Sequence, residues 1–160
     1  MRDGYSNFGF FQALTPDVYD SDTDGDTIDL RGYDTAVILA NIGTQNSAGD
    51  DSATSKYELA LEHALSDADG SLYWSEVAAS QVLHSVIGPG SGFASGYFQT
   101  IGSTLSNAYQ SNVYAIGYKG SRRWIRLRLE ATGAPSALAA GAIALLGLPA
   151  NWPVNVPENE

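Results

Sequence analysis

The sequence predicts an all-β protein, an antiparallel β-sandwich of jelly-roll-like type, and three observations carry that expectation. The first is alternation. Tyr57, Leu59, Leu61, His63 and Leu65 alternate with Glu58, Ala60, Glu62 and Ala64, and Ile125, Leu127 and Leu129 alternate with Arg126, Arg128 and Glu130. A period of two puts one set on each face of a sheet. The second is punctuation. Turn-forming clusters separate short apolar runs at the spacing of a sandwich or jelly roll. The third is composition. The 160 residues include 17 glycines, are 44% hydrophobic and are only 16% charged, against roughly 25% charged in typical soluble domains. A helical bundle would carry more Glu, Lys and Leu, and a disordered chain less apolar content.

Taken in order, residues 1–19 read as an extended N-terminal arm. Phe8, Phe10 and Phe11 lie together among Gly and Asn, and Pro16 ends the run. Three phenylalanines so close are too apolar to leave in water, so they pack on the domain or on a partner. The stretch 20–26 is an acidic turn. Strands follow at 27–30 and 35–42, joined through Gly32-Tyr33-Asp34, and the run Val37-Ile38-Leu39-Ala40 marks the second as central. Residues 44–55 form a polar loop. The alternation at 57–65 is a strand, 66–70 a turn and 72–77 a returning strand. Residues 78–87 are compatible with a short helix, 88–96 form a Gly/Ser loop, and 97–109 hold short strand-like pieces.

The stretch 113–130 reads as a hairpin turning at Lys119-Gly120-Ser121. Residues 137–148 are a last buried strand. They are too few, and too broken by Gly141 and Gly147, to span a bilayer. Pro149, Pro153 and Pro157 close an extended tail. The expected organisation is therefore an arm over 1–19, one sandwich domain over 20–148 and a Pro-rich tail over 149–160.

The net charge is −10, yet Lys119, Arg122, Arg123, Arg126 and Arg128 put five of the eight basic residues in one segment. This predicts an acidic body with one basic contact surface facing acidic protein. Nucleic acid is disfavoured, because the rest of the chain repels phosphate. The absence of cysteine removes thiolate catalysis, disulfides and Cys-based zinc sites. The first residues have no apolar stretch, so no secretory signal is expected.

Asp20, Asp22, Asp24 and Asp26, with Gly25 among them, resemble the front half of a calcium-binding EF-hand loop. The twelfth position is Arg31, where a bidentate Glu is needed. The turn is at most a weak calcium candidate, and the expected reading is a solvated acidic turn with no metal. His63 and His84 stand far apart without ligand-spaced partners. No nucleophile elbow, Walker A or dinucleotide fingerprint is present. Glu58, Glu62 and Glu76 could in principle be paired acids, but any antiparallel pair brings some carboxylates together. No catalytic residue, cofactor or enzyme activity is expected. Trp74 and Trp124 read as core or interface aromatics, with a sugar-stacking platform as the competing use. Trp152, between Asn151 and Pro153, reads as a groove filler.

Three stretches carry a resemblance to a family. They are the opening Met1-Arg-Asp-Gly-Tyr-Ser-Asn-Phe-Gly-Phe-Phe-Gln-Ala-Leu, the central Leu61-Glu-His-Ala-Leu-Ser-Asp-Ala-Asp-Gly with Trp74-Ser-Glu-Val, and the late Tyr118-Lys-Gly-Ser-Arg-Arg-Trp-Ile-Arg-Leu. With them the chain resembles small tailed-bacteriophage head decoration, or cement, proteins encoded beside the major capsid protein. The Ser/Gly-rich segment 88–112 departs from that pattern as a candidate added binding loop. The resemblance implies a non-catalytic virion component on the outer surface of the capsid, with the major capsid protein as partner and no membrane or nucleic acid. A homo-oligomer is implied, with a trimer favoured at three-fold positions. The expected capsid or subunit contacts are Phe8, Phe10, Phe11, Arg122, Arg123, Arg126, Arg128 and Trp152. The alternative reading is a carbohydrate- or receptor-binding module of a phage tail or capsid spike.

Overall fold

A computed structural model describes residues 7–45, 55–66, 70–84, 97–102 and 110–149. Eleven strands occur among them: β1 Phe8–Tyr19, β2 Thr23–Asp24, β3 Ile28–Asp29, β4 Tyr33–Gln45, β5 Lys56–Ser66, β6 Leu72–Glu76, β7 Val82–His84, β8 Tyr97–Gly102, β9 Asn112–Tyr118, β10 Trp124–Thr132 and β11 Leu138–Pro149. The helical stretch expected within 78–87 is one 3-10 turn, Ala79–Gln81. All pairings among the described strands are antiparallel. They build two sheets packed face to face. Sheet A runs β1-β11-β4-β9-β7, and sheet B runs β2-β10-β5-β6, with β3 beside β10 and β8 beside β5. The protein is an all-β sandwich, as the alternation predicts.

The core lies between the sheets. Sheet A contributes Ala36, Ile38, Ala40 and Ile42 of β4, Tyr114 and Ile116 of β9, and Leu138, Ala144 and Leu146 of β11. Sheet B contributes Tyr57, Leu59 and Leu61 of β5 and Ile125, Leu127 and Leu129 of β10. The period-two reading therefore holds along β10 and from Tyr57 to His63 of β5, whereas Leu65, expected on the same apolar face, is exposed at the end of its strand. Two buried amide oxygens, Gln45 Oε1 and Gln99 Oε1, have no hydrogen-bond partner among the described residues, whereas the buried tyrosine of β5 does. The Tyr57 hydroxyl donates to the Tyr19 carbonyl at 2.8 Å, and burial pushes its pKa up to about 12.

Three expectations are corrected. The arm expected over 1–19 is, from Phe8 onward, the edge strand of sheet A, paired with β11 from Phe8–Gly147 to Tyr19–Leu138. Pro16 does not end it. The proline lies where the register shifts between Leu14 and Asp17, and an edge strand tolerates a residue without an N–H at such an irregularity. The segment 113–130 is not a hairpin. β9 belongs to sheet A and β10 to sheet B, so residues 119–123 cross from one sheet to the other at the end of the sandwich. Both strands carry one apolar face, and each meets the core from its own side. The true hairpin is β5–β6, closed from Glu62–Glu76 to Ser66–Leu72. Gly70 at φ +87° supplies a left-handed position in its turn.

Third, the strand expected at 27–30 shrinks to β3, and the acidic turn is partly strand. β2 pairs with Leu129 and Arg128 of β10. The final strand includes Pro149, so the described sandwich runs one residue past 148. Of the candidate loop 88–112, β8 and residues 110–112 leading into β9 are described, and the remainder lies outside the described residues.

Candidate functional site

The outer face of sheet B is charged, and its arginines are paired with acids of the same domain. Arg126 Nε meets Glu62 Oε2 at 2.6 Å, its Nη1 meets Asp24 Oδ2 at 2.7 Å, and its guanidinium lies 4.4 Å from the centre of the Trp74 ring. Arg128 lies 3.5 Å from Glu62, 3.6 Å from Glu130, 3.7 Å from Asp22 and 3.9 Å from Asp24. Glu130 also accepts from the Tyr97 hydroxyl at 2.6 Å, which holds that phenol well above its usual range. The strands dictate this network. Arg126 stands opposite Glu62, which stands opposite Glu76, while β2 lays Asp24 beside Arg128.

The acidic turn is thus the counter-charge of the basic strand. Asp22 and Asp24 face its arginines, and Asp22 also accepts the Ala131 N–H at 2.7 Å. Asp20 accepts from the Ser21 hydroxyl at 3.1 Å, and Asp26 accepts from Gln12 Nε2 at 3.0 Å. The four carboxylates of the weak calcium candidate are thus engaged by protein partners, Asp22 and Asp24 both by Arg128. No group of three or more His, Asp or Glu able to hold a metal occurs among the described residues. Gly25 serves a close approach rather than an ion. A Cβ there would lie 2.1 Å from the Ala13 carbonyl oxygen and 2.8 Å from that of Leu127.

At the end where β9 crosses to β10, Arg123 holds Asp29 through Nε at 2.8 Å and Nη2 at 2.6 Å, and this hydrogen bond keeps the carboxyl below its usual range. Arg123 also lies 4.3 Å over the Trp124 ring. Beneath, the Tyr118 hydroxyl accepts the Arg122 N–H at 3.0 Å and lies 3.0 Å from Nδ1 of the buried His63. Hydrogen-bonded to both the Arg122 N–H and the His63 ring, Tyr118 ties the crossover to sheet B. Trp74 and Trp124 are half-buried on the outer face, flanking Ala64, not in the core. Each has a guanidinium on its ring, where a sugar-stacking platform would need an open face.

The outer face of sheet A is different. Register places four cross-strand rows on it: Phe8–Gly147–Thr35, then Phe10–Leu145–Val37–Gly117–Leu83, then Gln12–Ile143–Leu39–Ala115, then Gly141–Asn41–Val113. None of these residues is charged. Phe10 and Ile143 are each 47% exposed, Val113 54% and Leu83 66%. The last two rows border a trough of 790 Å³, whose one charged lining residue is Asp17 of β1. The run at 37–40, apolar on both faces, would suit a strand covered on both sides; among the described residues only its inner face is covered.

The expected contact residues therefore separate onto three surfaces. Phe8 and Phe10 stand on sheet A's outer face, while Phe11 turns to the inner side at the open edge and meets Tyr33 edge-on at 6.1 Å. Arg126 and Arg128 stand on the opposite side of the sandwich. Arg122 and Arg123 stand at the crossover end. Trp152 lies outside the described residues. Val37, Leu39, Leu83, Val113, Ile143 and Leu145 were not among the residues that sequence reasoning singles out. Their signal is the second apolar face of the runs at 37–40 and 139–146, legible only once the sandwich's inner face is known.

No protein-family model, curated protein or solved structure matches this chain.

Proposed function

We propose that this protein is a non-catalytic virion component that docks on the outer surface of a phage capsid through the outer face of sheet A and stabilises the shell. The single observation that carries the reading is that uncharged, largely apolar face on a chain of net charge −10. An exposed patch of this kind marks a contact surface. Each half-exposed Phe, Ile, Val or Leu gives about 1 kcal/mol on being covered. The opposite sheet, with its arginines and acids paired to one another, suits a face turned to solvent. The strand order supports the finer reading of the fold as well. β1-β11-β4-β9 faces β2/β3-β10-β5-β6, the interleaving of two Greek keys in a jelly roll. A trimer about a local three-fold axis of the shell remains the arrangement proposed, because one repeated interface closes it.

The test is co-sedimentation of the purified chain with shells assembled from the major capsid protein of the same phage. The proposal expects saturable binding and a higher temperature of shell disruption. A chain that stays in the supernatant and leaves shell disruption unchanged contradicts it.

A further inference from the structure

At the end of the sandwich where β4 begins, a groove of 690 Å³ is lined by the apolar Leu30, Tyr33, Val37 and Leu83, by the basic Arg31, Lys119, Arg122 and Arg123, and by one acid, Asp34. Four of the chain's eight basic residues thus stand around one groove. Arg123 and Arg31 share Asp29, at 2.6 and 3.5 Å. Lys119 and Arg122 have no carboxylate within ion-pair distance among the described residues. Two unmatched cations beside exposed apolar side chains fit an acidic segment that also carries an apolar anchor.

The chain itself supplies such a segment beside the groove. Pro149, the last described residue, pairs in register with Tyr33, a groove residue. Past it the sequence reads Ala150-Asn-Trp-Pro-Val-Asn-Val-Pro-Glu-Asn-Glu160. Trp152 comes three residues beyond Pro149, and Glu158 and Glu160 come nine and eleven beyond it. Extended chain advances about 3.3 Å per residue, so these side chains have reaches of roughly 10 Å and 30 Å or more.

We propose that the groove is the docking site of the chain's own segment 150–160, with Trp152 on the apolar side chains and Glu158 and Glu160 against Lys119 and Arg122. Trp152 and the two acids are the segment's only aromatic and its only charges. A tether this short gives an effective concentration on the order of millimolar, so a weak contact suffices to fill the site. Val37 and Leu83 belong both to the groove and to the outer face of sheet A. The seated segment therefore covers one corner of that face. The proposal stands whether or not that face binds a shell.

The chain has no cysteine, so Val156→Cys in the full protein carries a single nitroxide label. In isotope-labelled protein the label should broaden the amide signals of Leu83 and Ser121 and spare those of β5. The double variant Lys119→Glu/Arg122→Glu, and separately Trp152→Ala, should restore those signals while the rest of the spectrum stays in place. A mixture of spin-labelled unenriched protein with enriched unlabelled protein should show no broadening. The proposal is overturned if the groove signals are not broadened, if broadening survives both variants, or if it appears only between separate copies. The last result would assign the groove to a neighbour's segment.

Discussion

Arg126 shows how a side chain that looks like a binding group in the sequence becomes a structural one. It touches Glu62, Asp24 and the Trp74 ring, and its own side chain is only 17% exposed, with that of Glu62 at 7%. Removing it strands a nearly buried carboxylate, to which Arg128 at 3.5 Å is a partial substitute. Arg126→Ala should cost about 2 kcal/mol of stability, since hydrogen bonds to charged groups contribute roughly 1.5–3 kcal/mol. Denaturant unfolding checks this, and the affinity for shells should not change. His63 gives a second expectation. Burial first, and the Arg122 charge second, hold its folded pKa below the ordinary 6.5. The folded chain therefore binds fewer protons than the unfolded chain in mild acid. Stability is full above pH 6.5 and is lost as the pH falls towards the lowered folded value. Thermal melts between pH 7.5 and 5 should show this loss, and His63→Gln should flatten it. The carboxylate loss at Asp29 lies in a separate window, below 3.8.

At the level of elements, β1 is the strand whose role changes most. Ala13 and Leu14 are in the core, and the strand pairs with β11 along its length. Deleting residues 8–14 should lower the melting temperature sharply or abolish folding, where an independent arm would leave the sandwich intact. Circular dichroism with thermal unfolding distinguishes the two. Local patterns made β5, β6, β10 and β11 legible, because a half-buried strand writes its alternation into the sequence. β1 was not, because Gly9, Pro16 and Asp17 are poor strand formers and only the long-range partner β11 holds them extended. The mistaken hairpin has a similar cause. Two apolar-faced strands joined by a short Gly-containing link look alike whether they pair or cross between sheets. The Arg126–Glu62 and Arg128–Asp24 contacts depend on β5 and β2 lying either side of β10, a pairing that no local pattern encodes.

Across the whole molecule the two outer faces are opposites. Sheet B carries a self-satisfied charge network over its tryptophans. Sheet A carries four rows without a charge, and its β4 and β11 have apolar side chains on both sides. The candidate docking face was thus half-written in the sequence. The apolar runs at 37–40 and 139–146 are visible there, but which side faces the core is fixed only by the register with β1 and β9 and by the packing of sheet B against them. The central claim is that sheet A's outer face is the contact surface. The most direct measurement is the affinity for capsid shells of Val113→Lys/Ile143→Lys, two positions outside the groove, set beside its melting temperature. Both side chains point away from the core, so the fold should keep its melting temperature within a few degrees, while affinity falls by at least about tenfold, or 1.4 kcal/mol. Unchanged affinity in a folded double variant would contradict the account.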